Sequence, residues 1–242
     1  MERLSSPIAQ VDPRFTLWRR VRWPIFGGIL LVVLIVSGLL LRSCLISRHI
    51  REELARATEL ANDDTVEGHT EALQILETLR TENPRDDAVR ARYAWQHVLM
   101  AMRLGPVDAH AQAASAALGD GDGGDQTALL AAARAGLLLA QGDAAAGEQL
   151  ARGTLEQAPT CRECGFVLAM SLAELGRAGD AVPILDRSRQ GSPPFLPALA
   201  ALGETLRDLG RLPEAAKTIA VLSKAAASHR GAKLQSVLVD LD

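Results

Sequence analysis

A 34-residue spacing of small residues limits the fold of this 242-residue sequence more than any other feature. Gly142, Gly176 and Gly210 follow one another at this interval, and Ala181 and Ala215 repeat it. A fixed period of roughly 20–50 residues predicts stacked copies of one supersecondary unit. Glycine suits the turn that ends a helix, because it adopts backbone conformations that other residues avoid. The sequence therefore predicts an array of helix pairs.

The composition favours helices and excludes two classes of protein. Only 3% of the residues are aromatic, and alanine, the best helix former, is abundant. The hydrophobic fraction of 48% is too high for a disordered chain. The net charge is −3, divided into +4 over residues 1–45 and −7 over the remainder. Because the body of the chain is acidic, the sequence predicts no nucleic-acid partner.

A 34-residue period with two helices per unit resembles the tetratricopeptide repeat. The match is best in the last two units, good in the third and weak in the first two. The five predicted units are 53–86, 87–127, 128–161, 162–195 and 196–229. The resemblance implies an all-α, right-handed superhelix of about five helix pairs over residues 53–229. An amphipathic pattern over residues 230–242 predicts a short helix that caps the array.

An uncharged stretch over residues 23–41 predicts a single transmembrane helix. As a helix it spans about 28 Å, close to the roughly 30 Å thickness of the hydrocarbon core. A basic tail, 1–22, precedes it, and a helical connector, 42–52, is predicted to follow it. The arginines of the tail favour a cytoplasmic N-terminus and an extracytoplasmic body, which is periplasmic in a Gram-negative cell. A cytoplasmic body stays open, because arginines flank both ends of the stretch.

No catalytic signature is present, so the sequence predicts a protein that is not an enzyme and that uses no metal or cofactor. A small-molecule substrate is not expected either. Cys161 and Cys164 are the one thiol pair with a functional spacing. They allow a structural disulfide, two ordinary thiols or a redox pair. The segment from Thr160 to Glu163 reads as a capping box and predicts that a helix starts there.

The resemblance implies that the first helix of every unit lines a concave groove. The positions expected to line it are Trp95, Val98, Leu129, Leu139, Phe166, Met170, Glu204 and Arg207. This groove is apolar in the middle and charged at its C-terminal end, which suits an amphipathic helix or an extended peptide. The same apolar side chains would equally serve as core between the repeats, and the sequence leaves both interpretations open.

These features together predict a membrane-anchored scaffold or adaptor. It would bind a protein or peptide in the groove, contact the lipid bilayer through residues 23–41, and act in cell-envelope assembly or protein maturation. Two alternatives remain. One is a redox-linked maturation factor of the envelope that uses Cys161 and Cys164, and the other is a scaffold that faces the cytoplasm.

Overall fold

The structure of the protein is a computed structural model, which describes residues 37, 45–62, 64–104, 107–119, 127–191 and 194–225. Apart from Ser37, the predicted membrane stretch 23–41 lies outside these residues, as do the tail 1–22 and the capping helix 230–242. None of the helices within the described ranges has the length and apolar character needed to cross a bilayer. The chain divides into two compact units, Met1–His49 and Ile50–Asp242, and the array lies in the second.

The described residues form helices and contain no strand, as the all-α prediction requires. Helix α1 covers residues 45–62. The helices that follow are α2 (Val66–Glu82), α3 (Asp87–Arg103), α4 (Val107–Leu118), α5 (Ala128–Ala140), α6 (Ala144–Gln157), α7 (Arg162–Glu174), α8 (Ala178–Ser188), α9 (Leu196–Asp208) and α10 (Leu212–Ala225).

Neighbouring helices pack as consecutive hairpins. The pairs are α3 with α4, α5 with α6, α7 with α8, and α9 with α10. The second helix of each pair contacts the first helix of the next, and the first helices α3, α5, α7 and α9 contact one another in sequence order. This nearest-neighbour pattern is that of a helical solenoid.

The glycines that gave the period occupy equivalent turns. Gly142, Gly176 and Gly210 each lie just after the first helix of a pair, at φ of +90°, +76° and +72°. An added β-carbon would meet no atom at any of the three positions, so the backbone conformation, and not space, requires glycine. The predicted 34-residue period is therefore confirmed as a structural period in this part of the chain.

Small residues on α5 bring its two neighbours close together. Ala132, Ala133 and Ala135 are fully buried, and a β-carbon at Gly136 would lie 2.5 Å from Val98 Cγ1 of α3. It would also lie 3.4 Å from Val167 Cγ2 of α7. Because α5 is so thin on this side, large side chains of α3 and α7 can meet across it.

Candidate partner-binding surface

The first helices α3, α5, α7 and α9 form one continuous row. We call the face of this row that carries the predicted groove residues the inner surface. At its centre, Trp95 of α3 and Phe166 of α7 make an edge-to-face contact with ring centroids 6.4 Å apart. Phe195, just before α9, makes a second one with Phe166 at 5.7 Å. These three side chains form an aromatic row that links three repeats.

The C-terminal part of α1 covers this aromatic row. Ala57 and Ala61 are buried in the same apolar cluster as Trp95, Phe166 and Phe195. The side-chain amide of Asn62 donates to the carbonyl of Pro194 at 2.9 Å. Its oxygen accepts from the backbone N–H of Leu196 at 3.2 Å. The end of α1 is thereby bonded to the backbone at the start of α9.

A buried polar cluster fixes the turn after α1. Asp64 adopts φ of +52°, the left-handed region that few residues other than glycine enter. Its carboxylate lies 3.1 Å from His69 Nε2 and 3.0 Å from Arg103 Nη2, so both groups donate to it. Gln96 Nε2 lies 2.6 Å from His69 Nδ1. Since the amide nitrogen can only donate, His69 accepts at Nδ1 and carries its proton at Nε2. Arg103 also approaches Glu204 of α9, at 3.8 Å.

The structure divides the predicted groove residues into covered and accessible positions. Trp95, Val98, Leu139 and Phe166 are buried. Leu139 and Met170 line an open surface pocket of about 480 Å³ at the C-terminal ends of α3, α5 and α7. The remaining three, Leu129, Glu204 and Arg207, are partly exposed. That these residues bind a partner stays a prediction, and the core role left open above applies to the four buried ones.

Sequence reasoning missed a pair of histidines. His97 Nδ1 of α3 lies 2.8 Å from His110 Nδ1 of α4. Burial, followed by the charge of His110, lowers the pKa of His97 to about 4, and burial also lowers the pKa of His110. The two residues are 13 apart on different helices, so no periodicity could have signalled the contact. Within the described ranges, no group of three or more His, Cys, Asp and Glu side chains could hold a metal ion.

Acid should destabilise the hairpin of α3 and α4. The pKa of His97 is depressed from an ordinary 6.5 to about 4, so the unfolded chain binds a proton before the folded chain does. The stabilisation is complete above pH 6.5 and is lost as the pH falls to 4. Glu77 opposes the depression and Arg80 adds to it. We expect chemical denaturation to show a loss of about 1–2 kcal/mol over this window, allowing for solvent screening at this partly exposed pair.

The control for the acid effect is His97→Asn. Its amide can donate to His110 Nδ1 without titrating. The stability of this variant should therefore fall less between pH 6.5 and 4 than that of the wild type. If the stability of the two proteins fell equally between pH 6.5 and 4, groups other than His97 would be the cause of the acid sensitivity.

Cys161 and Cys164 form a disulfide in the structure. Cys161 is the N-cap of α7, and its sulfur accepts from the backbone N–H of Cys164 at 3.2 Å. The capping box predicted the start of this helix one residue too early, with Thr160 as the cap. A cysteine cap was missed because serine and threonine are the usual capping residues. Cys164 is fully buried beside α5, whereas Cys161 is partly exposed.

Replacing both cysteines with serine should have a modest effect on stability. A disulfide that closes so short a loop contributes about 2 kcal/mol in the chain-entropy model. Serine at position 161 would restore a good N-cap and offset about 0.5–1 kcal/mol of this loss. We expect the free energy of unfolding, measured in oxidising buffer, to fall by about 1–2 kcal/mol. If the variant were less stable than the wild type by the same amount in reducing buffer, where the wild type has no disulfide, the disulfide itself would contribute nothing to stability.

Comparisons with known proteins agree with this geometry. A family model described as tetratricopeptide repeat matches residues 172–238. The crystal structure of TTC0263, a thermophilic tetratricopeptide repeat protein of Thermus thermophilus, superposes with a TM-score of 0.56 at 15% identity. The match covers 79% of this chain and 99% of that one, which shows a shared fold. These findings support the tetratricopeptide repeat family.

Two further structures are similar to a lower degree. MamA of MSR-1 gives a TM-score of 0.41 at 19% identity, covering 57% of this chain and 77% of that one. MamA of AMB-1 gives 0.38 at 17% identity, covering 74% of this chain and 94% of that one. No curated protein matches the chain at a significant level. The family model and the structures named above are those of repeat proteins and indicate no catalytic family.

Proposed function

We propose that this chain is a membrane-anchored tetratricopeptide repeat scaffold that binds a protein partner on its inner surface. The proposed place of work is the extracytoplasmic side of a bacterial membrane, in envelope assembly or protein maturation. The observation that carries the binding role is the open pocket at the C-terminal ends of α3, α5 and α7. The anchor rests on the charge-free stretch 23–41 alone.

The pocket combines apolar and acidic side chains, a combination that suits a peptide ligand. Met102, Leu139 and Met170 supply an apolar lining from three successive first helices. Methionine side chains adapt their shape to an apolar ligand because they are unbranched and flexible. Asp143 and Glu174 lie at the same pocket and are exposed. We therefore expect the partner to insert an apolar side chain that is flanked by a basic residue.

Site-specific photo-crosslinking in the native cell tests the binding role. A photoreactive phenylalanine analogue in place of Met170 should crosslink to a protein partner. The matched control places the same analogue at Val221, which is 48% exposed on α10, away from the pocket. Met170→Asp should weaken co-purification of the crosslinked partner at least tenfold, whereas Val221→Asp should not. Equal crosslinking from both positions would contradict a specific inner-surface site.

Fractionation tests the anchor and the compartment. The full-length chain should sediment with membranes and resist carbonate extraction. Protease added to intact spheroplasts should digest the repeat body. Digestion only after lysis would place the body in the cytoplasm, and release by carbonate would contradict the anchor.

A further inference from the structure

Helix α1 meets the repeat array mainly through one stripe, and Leu60 beside it is partly buried against the same apolar cluster as Ala57. Ile50, Leu54, Ala57 and Ala61 follow a spacing of four, three and four residues, which places them on one face of a helix. All four pack within apolar clusters of the array. Five side chains on other faces of this segment are exposed, and they are Arg51, Glu52, Ala55, Arg56 and Glu59. This is the pattern of an amphipathic helix bound in a groove.

The contact made by this segment is shallow. Two of its four stripe residues are alanines, and only three of the thirteen residues from 50 to 62 are buried. Helix α9, in contrast, buries ten of its 13 residues. A segment that buries little apolar surface opens at a lower free energy than the core of the same domain. The segment 50–62 is therefore the helical part of the inner surface that should open most readily.

Polar contacts at one end supplement this shallow packing. Asn62 makes its two hydrogen bonds to the backbone at Pro194 and Leu196. Two residues later, Asp64 holds a left-handed backbone conformation against the donors of His69 and Arg103. A non-glycine residue in this conformation stores backbone strain, which is relieved when the contacts that hold it open. These polar contacts are confined to one end of the segment, so we expect the segment to pivot about the backbone at Asp64.

The surface beneath the segment is suited to a helix. Its floor is the aromatic row of Trp95, Phe166 and Phe195. The guanidinium of Arg162 lies 5.1 Å from the ring centre of Phe195, and that of Arg92 lies 3.8 Å from Glu163. The small stripe residues Ala57 and Ala61 let a helix backbone approach such a floor closely.

We propose that residues 50–62 are a displaceable occupant that keeps the centre of the inner surface closed until a partner helix takes their place. The partner would be an amphipathic helix with the same contact pattern. It would carry large apolar residues at the first two contact positions, small residues at the next two, and a side-chain amide after the last. The identity of the partner as a helix rests on the proposed function, whereas the displacement of the segment does not.

Hydrogen exchange on the full-length chain tests the displacement. Amides from 51 to 62 should exchange at least tenfold faster than those of α7, because they open without unfolding of the array. Asn62→Ala should speed their exchange at least tenfold further and leave α7 unchanged. Glu59→Ala, on the exposed side of the same helix, is the matched control and should behave as wild type. Equal exchange of the segment and α7 in the wild type would overturn the proposal.

A labelled peptide of residues 48–65 tests the vacated site as a helix receptor. Asn62→Ala should bind it at least tenfold more tightly than the wild type, in which the tethered segment competes. The same peptide with Ala57→Glu and Ala61→Glu should not bind. Faster exchange in Asn62→Ala without peptide binding would overturn the receptor part of the proposal. A positive result here with no crosslink at Met170 would reject the proposed pocket and leave the displaceable segment standing.

Discussion

Phe166→Ala should lower the free energy of unfolding by about 4 kcal/mol, within the range of about 3–5 kcal/mol for removing a buried aromatic ring. The side chain is fully buried on α7 and contacts the rings of Trp95 and Phe195. Its removal would leave a cavity shared by three repeats, and the surrounding helices cannot close it without breaking their own contacts. Urea denaturation of the full-length chain measures the effect.

Phe166→Leu is the control for this cavity. Leucine retains most of the apolar volume, so the loss should be about 1–1.5 kcal/mol. A small loss for Phe166→Ala, under about 1 kcal/mol, would show that the aromatic row does not join the repeats energetically.

Arg103→Met should cost about 3 kcal/mol. The guanidinium donates to the buried carboxylate of Asp64, and methionine fills a similar length without a charge. Removing one partner of a buried ion pair costs about 3–5 kcal/mol, because the other charge stays buried. His69 continues to donate to Asp64, so we expect the lower end of that range.

A double-mutant cycle isolates this charge penalty. Asp64→Asn removes the negative charge, and asparagine tolerates the left-handed conformation that position 64 requires. When Asp64→Asn is already present, Arg103→Met should cost less than in the wild type by about 1 kcal/mol or more. Additive losses would mean that Arg103 stabilises the array by packing and not by pairing with Asp64.

The repeat fold could be predicted because its signals are local. Each of the last three units needs a glycine in its left-handed turn, as at Gly176, and a small buried residue where helices approach, as at Ala181. Because these needs are local, the same residue types recur in these units. The candidate site could not be predicted to the same degree. The sequence predicts that Trp95 and Phe166 line one groove, whereas the structure buries both in an apolar cluster that also includes Ala57 and Ala61 of α1.

The missed polar contacts have the same cause. The buried polar cluster joins residues of three segments that share no period, and these residues are Asp64, His69, Gln96 and Arg103. His97 of α3 and His110 of α4 are likewise not related by the repeat period. A repeat pattern reports what each unit needs in order to pack against the next. It carries no information on polar contacts that occur once and do not recur from unit to unit.

The bonds of Asn62 join residues 132 and 134 positions apart in the sequence, whereas the solenoid contacts link neighbouring helices. Closing so long a loop costs chain entropy, and folding slows as such distant contacts become necessary. During synthesis from the N-terminus, α1 leaves the ribosome before α9, which completes its binding site, has been made. More than half of the described chain must therefore be translated before residues 50–62 can dock on α9. The docking of this segment is thus expected to be a late step of folding, after the local helix pairs have formed.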